Sequence, residues 1–195
     1  MSSIPIFLSS DDNYAPFVAT TIASICDNTK SFCEFYILDG GITEENKEKI
    51  CELKKQFANF SIEFIKIDFE KYFKDFKETE RISKTMYSRF LIPYLKSNIE
   101  KALYTDVDVI CVGDVLKMYN EDIFDYSLGA VWEKFGEGKI NEEKKKRTDI
   151  SQEHKYFSSG NLVINCKKWR DDNVLDCLIS INNQYKDNLV EPDMD

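Results

Sequence analysis

Histidine is nearly absent from this sequence, and His154 is the single example in 195 residues. A single histidine cannot form a zinc site with several histidine ligands, and it argues against a catalytic Ser–His or Cys–His pair. None of the six cysteines forms a C-x-x-C pair, and several stand inside apolar patterns, where a reduced thiol packs as a small hydrophobic side chain. This cysteine usage predicts a reducing compartment, and we expect a cytoplasmic protein.

The sequence also lacks long apolar segments and an excess of positive charge. No apolar run is long enough to span a bilayer, and no charged-then-apolar leader precedes the first predicted strand. The formal net charge of −9 argues against nucleic acid or an anionic membrane as the main partner. We therefore expect no nucleic-acid partner and no transmembrane segment.

Neither common glycine-rich phosphate loop occurs, so a bound diphosphate would depend on a metal ion to balance its charge. Asp106 and Asp108 are the candidate ligands. They stand between strand-like runs at 102–104 and 109–112, and alternate side chains of a strand share a face. We therefore expect both carboxylates on one face, where oxygen ligands suit Mn²⁺ or Mg²⁺. By itself this D-x-D pattern also fits two solvated carboxylates at a strand end.

The first third of the chain predicts a β-α-β-α-β unit. Short apolar runs at 4–8, 34–38 and 60–67 are typical of buried strands. An amphipathic helix fits residues 14–25, and Thr43 is a plausible N-cap for a second helix. This order is the pattern of a parallel sheet with covering helices, so we expect an α/β fold.

The rest of the chain predicts two more strands and further helices. Residues 83–96 read as a helix that Pro93 ends or kinks, and Arg89 within it is most simply a surface arginine with a buried stem. Strands are expected at 128–132 and 162–164. We expect two further helices, one within the polar stretch 136–150 and one over 169–185.

Polar clusters recur where the predicted strands end. One follows the first strand at 9–13, one is the Asp106/Asp108 pair, and one is a predicted turn at 158–160, just before a strand. In open α/β sheets, ligands bind along the edge formed by the carboxyl ends of the strands. The sequence therefore predicts one ligand site assembled from these three clusters.

Six segments, in this order and spacing, resemble glycosyltransferase family 8, which includes bacterial lipopolysaccharide galactosyl- and glucosyltransferases and relatives of glycogenin. The segments are 6–25, 35–47, 83–95, 103–115, 156–170 and 192–195. The resemblance implies an A-type glycosyltransferase fold, a Rossmann-like mixed sheet with helices on both faces, in a single domain over 1–195. It implies a retaining transferase that uses Mn²⁺ or Mg²⁺ to move galactose or glucose from a UDP-sugar to a glycan, lipopolysaccharide or glycoprotein acceptor.

The resemblance also assigns roles to residues at the first two clusters. It implies that Asp11 and Asn13 hold the uridine and that Ser9 contributes mainly its backbone. Asp106 and Asp108 match the family's metal ligands, and Asp106 would also reach the ribose. These roles are carried over from the family position by position.

The same resemblance places the donor sugar at the third cluster. Arg89 and Asp193 match family residues that grip this sugar, and they are our candidate catalytic residues. Ser158, Ser159 and Gly160 match the family's turn beside the sugar. A covalent intermediate and a front-face attack are both compatible with this set.

The sequence departs from the family at three places. Relatives often carry Asn where Ser158 stands, and many carry Gln where Met194 stands, whose thioether cannot take a polar role. The family's later His-x-x-Gly-x-x-Lys-Pro-Trp motif, which supplies a metal ligand and a diphosphate contact, is not found. We therefore expect the chain to lack the family's C-terminal segment, with part of the metal shell and any peripheral membrane contact that it provides.

Two other functions stay open at this point. One is a UDP-sugar-binding module that keeps nucleotide affinity but has impaired catalysis. The other is a sugar-nucleotide pyrophosphorylase on a related sheet. A pyrophosphorylase normally opens with a glycine-rich loop that contains arginine, whereas the first strand here ends in Ser-Ser-Asp-Asp-Asn at 9–13.

Overall fold

One mixed sheet organises the chain in the computed structural model, which describes residues 3–79, 83–132, 143, 145–151, 153–154 and 156–189. Its strands are β1 (Ile4–Ser10), β2 (Cys33–Asp39), β3 (Phe60–Lys66), β4 (Lys101–Thr105), β5 (Leu128–Trp132) and β6 (Phe157–Asn165). The six strands lie in the order β3-β2-β1-β4-β6-β5. The first four in that order are mutually parallel, whereas β6 runs antiparallel to both β4 and β5.

Helices connect most of these strands. The α-helices are α1 (Ala15–Asn28), α2 (Glu44–Cys51), α3 (Phe69–Phe73), α4 (Ile92–Leu95), α5 (Leu116–Tyr119), α6 (Cys166–Asp171) and α7 (Val174–Tyr185). In the described part of the chain, 3₁₀ helices span Asp12–Tyr14, Glu52–Lys55 and Lys84–Leu91. Within the described ranges, none of the helices combines the length and the apolar character that crossing a bilayer requires.

Two hydrophobic clusters cover the two faces of the sheet. Alternation along the strands separates them: Leu103 of β4 belongs to the cluster under α1 and α2, whereas its neighbours Ala102 and Tyr104 belong to the other. That second cluster contains Tyr87, in the 3₁₀ helix that precedes α4, and Trp169 of α6. The prediction of a mixed sheet with helices on both faces is therefore confirmed.

The predicted β-α-β-α-β opening is also confirmed, because β1, β2 and β3 pair in parallel with α1 and α2 between them. Thr43 caps α2 as expected, since its side chain accepts a hydrogen bond from the Asn46 backbone N–H at 3.4 Å. The strand expected at 128–132 is β5. These elements follow local periodicity and cap chemistry, which a single sequence records directly.

The second strand-like run, at 109–112, is not a strand, and this prediction was wrong. Its backbone is held by side chains of α1 instead of by a neighbouring strand. The Thr21 hydroxyl donates to the carbonyls of Val107 (2.7 Å) and Val109 (3.0 Å). One turn further along, the Cys111 N–H donates to the Ser24 hydroxyl at 2.9 Å. Side chains of one helix thus satisfy backbone groups that a sheet would otherwise pair.

Two predicted helices are divided differently in the structure. Residues Lys84–Leu91 form a 3₁₀ helix, and Pro93 lies in the first turn of α4 instead of ending a helix, because proline needs no N–H partner at that position. The helix expected over 169–185 is split between α6 and α7 at Asn173, which adopts a left-handed conformation (φ 51°). The helix expected within 136–150 falls mostly outside the described residues.

Candidate active site

A cleft of about 310 Å³ opens where β1 and β4 end. The two strands are parallel neighbours, and Phe7 pairs with Tyr104, so the segments that follow the two strands begin side by side at this edge of the sheet. The strand order reverses here, because β2 and β3 lie on one side of β1 and β4 on the other. Ligands of open α/β sheets bind at such a reversal. The residues around this β1/β4 cleft include Asp11, Tyr14, Arg89, Tyr104, Asp106 and Asp108.

Asp106 and Asp108 follow β4 and do not lie within a strand, since β4 ends at Thr105. The expected shared strand face is therefore wrong, although both side chains line the same cleft. The segment is anchored on both sides. The Asp106 N–H donates to the Gly160 carbonyl at 2.8 Å, and the Val107 carbonyl accepts from Thr21. These contacts position the carboxylates without a strand.

The two oxygens of Asp106 have different surroundings. Oδ1 accepts hydrogen bonds from the Tyr104 hydroxyl at 2.7 Å and from Nη2 of Arg89 at 3.2 Å. Oδ2 accepts none from the residues that the structure describes. Asp108 is exposed, and its carboxylate is likewise unpaired within those described ranges. The cleft therefore offers free carboxylate oxygens from two side chains.

This donor set fits a hard divalent cation. Carboxylate oxygens are the ligands that Mg²⁺ and Mn²⁺ prefer, and Mg²⁺ typically binds through one or two carboxylates plus waters and substrate phosphates. Among the described residues, His, Cys, Asp and Glu side chains form no cluster of three or more that could hold a metal. Asp106 and Asp108 would thus provide a partial shell, which the oxygens of a bound diphosphate could complete.

Arg89 is buried, with 6% of its surface exposed, so the interpretation as a surface arginine is wrong. Its Nε donates to the Met86 carbonyl (2.9 Å) and its Nη1 to the Ser159 carbonyl (2.8 Å). Its guanidinium also lies over the Tyr104 ring, 4.5 Å from the centroid. Arg89 therefore connects a 3₁₀ helix with the ends of β4 and β6, in contact with the candidate metal ligand Asp106.

Ser158, Ser159 and Gly160 lie in β6 and not in a turn, which corrects that prediction. They lie beside the cleft end of β4, because β6 is antiparallel to β4, but the cleft lining formed by the described residues does not include them. Gly160 stands against Asp106: a Cβ atom there would lie 2.7 Å from Asp106 Oδ2. The absence of a side chain at 160 thus leaves the space that this oxygen occupies.

The cluster at the end of β1 has roles in the fold as well as at the cleft. Asp11 caps the short 3₁₀ helix that follows, because Oδ1 accepts from the N–H groups of Asn13 (3.0 Å) and Tyr14 (3.3 Å). The Ser9 hydroxyl is buried and lies 2.8 Å from that of Ser88. Ser9 and Asp11 line the cleft, whereas the Asn13 side chain is exposed.

Tyr104 and Ser88 contact predicted site residues, and neither was predicted from the sequence. Tyr104 precedes Asp106 by two positions, so the alternation of a strand could have placed both on one face. Burial raises the pKa of Tyr104 well above its usual 10.0; Arg89 opposes this rise and the neighbouring Asp106 carboxylate adds to it. The hydroxyl is therefore a neutral donor. Asp193 and Met194 lie outside the described residues.

Comparisons with known proteins agree on one family. The sequence model described as Glycosyl transferase family 8 matches residues 5–195. A Haemophilus influenzae protein named as a glycosyltransferase is 37% identical over 192 residues, 97% of this chain and 57% of its own length. The lipopolysaccharide 1,2-glucosyltransferase of Escherichia coli K12 is 29% identical over 184 residues, 90% of this chain and 53% of its own length. The chain therefore spans little more than half the length of these relatives.

Solved structures match the sheet and its helices. A crystal structure of the galactosyltransferase LgtC, in complex with donor and acceptor sugar analogues, superposes with a TM-score of 0.85 at 29% identity. The match covers 97% of this chain and 68% of LgtC. The expected A-type glycosyltransferase fold is therefore confirmed.

Proposed function

The chain belongs to glycosyltransferase family 8, and from this premise we propose that it is a metal-dependent, retaining hexosyltransferase. The reaction would move galactose or glucose from a UDP-sugar to a glycan, lipopolysaccharide or glycoprotein acceptor. The observation that carries the proposal is the pair Asp106 and Asp108, which line one cleft at the reversal of strand order and present carboxylate oxygens that no described residue pairs. Residues 1–195 form one nucleotide-sugar-binding domain in this proposal.

The choice of hexose and donor rests on the relatives. One matched structure is of a galactosyltransferase bound to donor and acceptor sugar analogues, and one matched sequence is a lipopolysaccharide glucosyltransferase. Retention of the anomeric configuration and a UDP-linked donor are what the resemblance to the family implies. A carbohydrate or glycoconjugate acceptor follows from the same relatives.

Asp106 and Asp108 would hold Mn²⁺ or Mg²⁺ beside the diphosphate. Such an ion, when bound, supplies Lewis-acid stabilisation of the negative charge on the departing diphosphate. A bound cation would offset the charge of the diphosphate, which an acidic chain without a glycine-rich phosphate loop has few other means to balance. The neighbouring Arg89 adds a fixed positive charge 3.2 Å from the Asp106 carboxylate.

The donor would extend along the cleft from the end of β1 towards β6. Asp11, Asn13 and the backbone of Ser9 would hold the uridine, where Asp11 is already fixed by its role as a cap. The residues that would bind the donor sugar are Arg89, Ser158, Ser159, Gly160 and Asp193. The Asp193 carboxylate would stabilise the positive charge that develops on the sugar ring as its bond to the diphosphate breaks.

A cytoplasmic location is part of the proposal and is supported by the cysteines. All six are in the described part of the chain, and each is a free thiol. Burial raises the pKa of Cys26, Cys33 and Cys166 to about 12, so these thiols stay protonated and unreactive. Free thiols at every position suit a reducing compartment.

A panel of nucleotide sugars tests the function directly. The protein is incubated with UDP-galactose, UDP-glucose and GDP-mannose in Mn²⁺, Mg²⁺ or EDTA, and the release of the nucleotide is measured. We expect hydrolysis of one UDP-hexose that requires the metal. Asp108→Asn should abolish it, whereas the exposed Asp125→Asn, outside the cleft, should not. UDP-sugar binding without hydrolysis or transfer would favour the impaired binding module, and equal hydrolysis in EDTA would contradict metal dependence.

A further inference from the structure

Tyr104 lies in strand β4 at the floor of the β1/β4 cleft, two residues before Asp106 of the D-x-D segment. Its side chain is 1% exposed, in the hydrophobic cluster that also contains Tyr87. The ring packs under the Arg89 guanidinium, and the hydroxyl lies 2.7 Å from Asp106 Oδ1. An ionised carboxylate can only accept hydrogen bonds, so Tyr104 is the donor.

In this arrangement the two oxygens of the Asp106 carboxylate have different roles. Tyr104 and Arg89 together hold Oδ1, one from the sheet and one from the 3₁₀ helix. Oδ2 accepts no hydrogen bond from the described residues and occupies the space left by Gly160. With one oxygen fixed from two directions, rotation of the carboxylate is restricted. The free oxygen therefore has a defined place in the cleft before any ligand arrives.

We propose that Tyr104 is a positioning residue for metal binding, which holds the Asp106 carboxylate so that its second oxygen is ready to coordinate the cation. This inference rests on the proposed function, because it concerns the metal-dependent binding of UDP. Groups that orient a metal ligand through a hydrogen bond typically affect metal affinity by about 10- to 100-fold. Tyr104 touches neither the donor nor the metal in this account and acts through Asp106.

A merely structural role predicts a different result. Any buried tyrosine hydroxyl needs a hydrogen-bond partner, and Tyr104 could simply use Asp106 for that purpose. Tyr87 provides the comparison, because it is 0% exposed and its hydroxyl donates to the Lys77 carbonyl at 2.8 Å, away from the cleft. Removing either hydroxyl should cost similar stability. Only the loss at 104 should alter the metal dependence.

The test is calorimetric titration of UDP into the wild-type protein, Tyr104→Phe and Tyr87→Phe, in Mn²⁺ and in EDTA. We expect Tyr104→Phe to weaken UDP binding in Mn²⁺ by about 10- to 100-fold and to leave binding in EDTA unchanged. Tyr87→Phe should bind UDP as the wild type does in both conditions. Thermal unfolding of the two variants, measured alongside, should show similar decreases in midpoint.

Equal UDP affinity of the two variants in Mn²⁺ would overturn the inference while the proposed function stands. A wild-type protein without Mn²⁺-enhanced binding would instead contradict the proposed function itself. A second pair of variants applies if Tyr104→Phe does not fold. Tyr104→p-aminophenylalanine keeps a donor, Tyr104→p-methylphenylalanine has a similar size without one, and only the former should retain metal-dependent affinity.

Discussion

The guanidinium of Arg89 and the carboxylate of Asp106 form an ion pair, with Nη2 3.2 Å from Oδ1, at the floor of the β1/β4 cleft. Arg89 is almost fully buried, whereas the Asp106 side chain is 36% exposed. The Asp106 carboxylate that faces the cleft is therefore held from below by the buried guanidinium of Arg89. A buried arginine fork can orient a carboxylate in this way because its donors are planar and rigid.

Arg89→Lys should reduce both stability and metal-dependent UDP binding. Lysine keeps the charge but cannot reach the Ser159 carbonyl and Asp106 together with the geometry of the fork. We expect a loss of unfolding free energy of roughly 1.5–3 kcal/mol, typical of hydrogen bonds from charged groups, and weaker UDP binding in Mn²⁺. Urea denaturation and calorimetry measure the two effects.

Arg170→Lys is the matched control for Arg89→Lys. Arg170 also donates to two backbone carbonyls, those of Pro93 (2.6 Å) and Ile99 (3.0 Å), but it does not line the cleft. The Arg170→Lys substitution should lower the stability of the protein and leave its UDP affinity unchanged. Unaltered UDP affinity in Arg89→Lys as well would mean that Arg89 does not orient Asp106.

Gly160→Ala should disable the site with little damage to the fold. The new methyl group would lie 2.7 Å from Asp106 Oδ2, so the partly exposed carboxylate must move. We expect metal-dependent UDP affinity to fall at least about tenfold, with a small change in thermal midpoint. Gly113→Ala is the control, because a Cβ atom there has no neighbour within 4 Å. Normal UDP binding by Gly160→Ala would show that the position of Oδ2 is unimportant.

Asp11→Ala separates the capping role of Asp11 from its proposed contact with uridine. Loss of a cap costs about 0.5–2 kcal/mol of stability. Asp68→Ala removes the cap of α3, where the Asp68 carboxylate accepts from the Lys71 N–H at 3.0 Å, and provides the reference for this cost. We expect similar destabilisation of both variants in thermal melts but weaker UDP binding for Asp11→Ala alone. If the two variants bind UDP equally well, Asp11 is a cap and nothing more.

Local patterns in the sequence predict most of the fold and fewer details of the site. The strands near the N-terminus and the Thr43 cap depend on residues close in sequence, and they were predicted correctly. The non-strand conformation of 109–112 was not predicted, because it depends on Thr21 and Ser24, which lie more than eighty residues away in the sequence. A β-branched run predicts a strand until its backbone partners are known.

The same distinction applies to the site residues. Asp106 and Asp108 were predicted as site residues from their type and spacing, but the burial of Arg89 follows from contacts with Ser159 and Tyr104 that are remote in sequence. The place of Ser159 in a strand follows from antiparallel pairing with β4, which the sequence does not record. Periodicity therefore indicates which residues gather at one edge, whereas their mutual contacts require the assembled sheet.

Asp39 should make stability depend on acidic pH. Its buried carboxylate accepts from the N–H groups of Gly41 (2.8 Å) and Ile42 (2.7 Å) and pairs with Lys47 Nζ at 2.8 Å. Burial alone would raise the pKa of Asp39, but the bonds from Lys47 and the two N–H groups outweigh it, so the pKa is lower than 3.8. Because the folded-state pKa is the lower one, stabilisation is complete above the unfolded-state pKa and is lost as the pH falls through the folded-state pKa.

Urea denaturation of the wild type and Asp39→Asn, from about pH 7 to about pH 2.5, measures this effect. We expect Asp39→Asn to be less stable by roughly 1–3 kcal/mol near neutral pH, because the buried donors lose their charged acceptor. The difference should shrink in acid, as Asp39 of the wild type becomes protonated. A difference that does not change with pH would show that the charge of Asp39 is not what stabilises the turn after β2.

Calorimetric titration of UDP, in Mn²⁺ and in EDTA, tests the central claim most directly, namely that Asp106 and Asp108 form a metal-dependent site for a nucleotide diphosphate. The account predicts that Mn²⁺ strengthens UDP binding to the wild-type protein, and that Asp106→Asn and Asp108→Asn each remove most of this gain without loss of cooperative unfolding. Equal UDP affinity in Mn²⁺ and EDTA, or full Mn²⁺ enhancement in both variants, would contradict it.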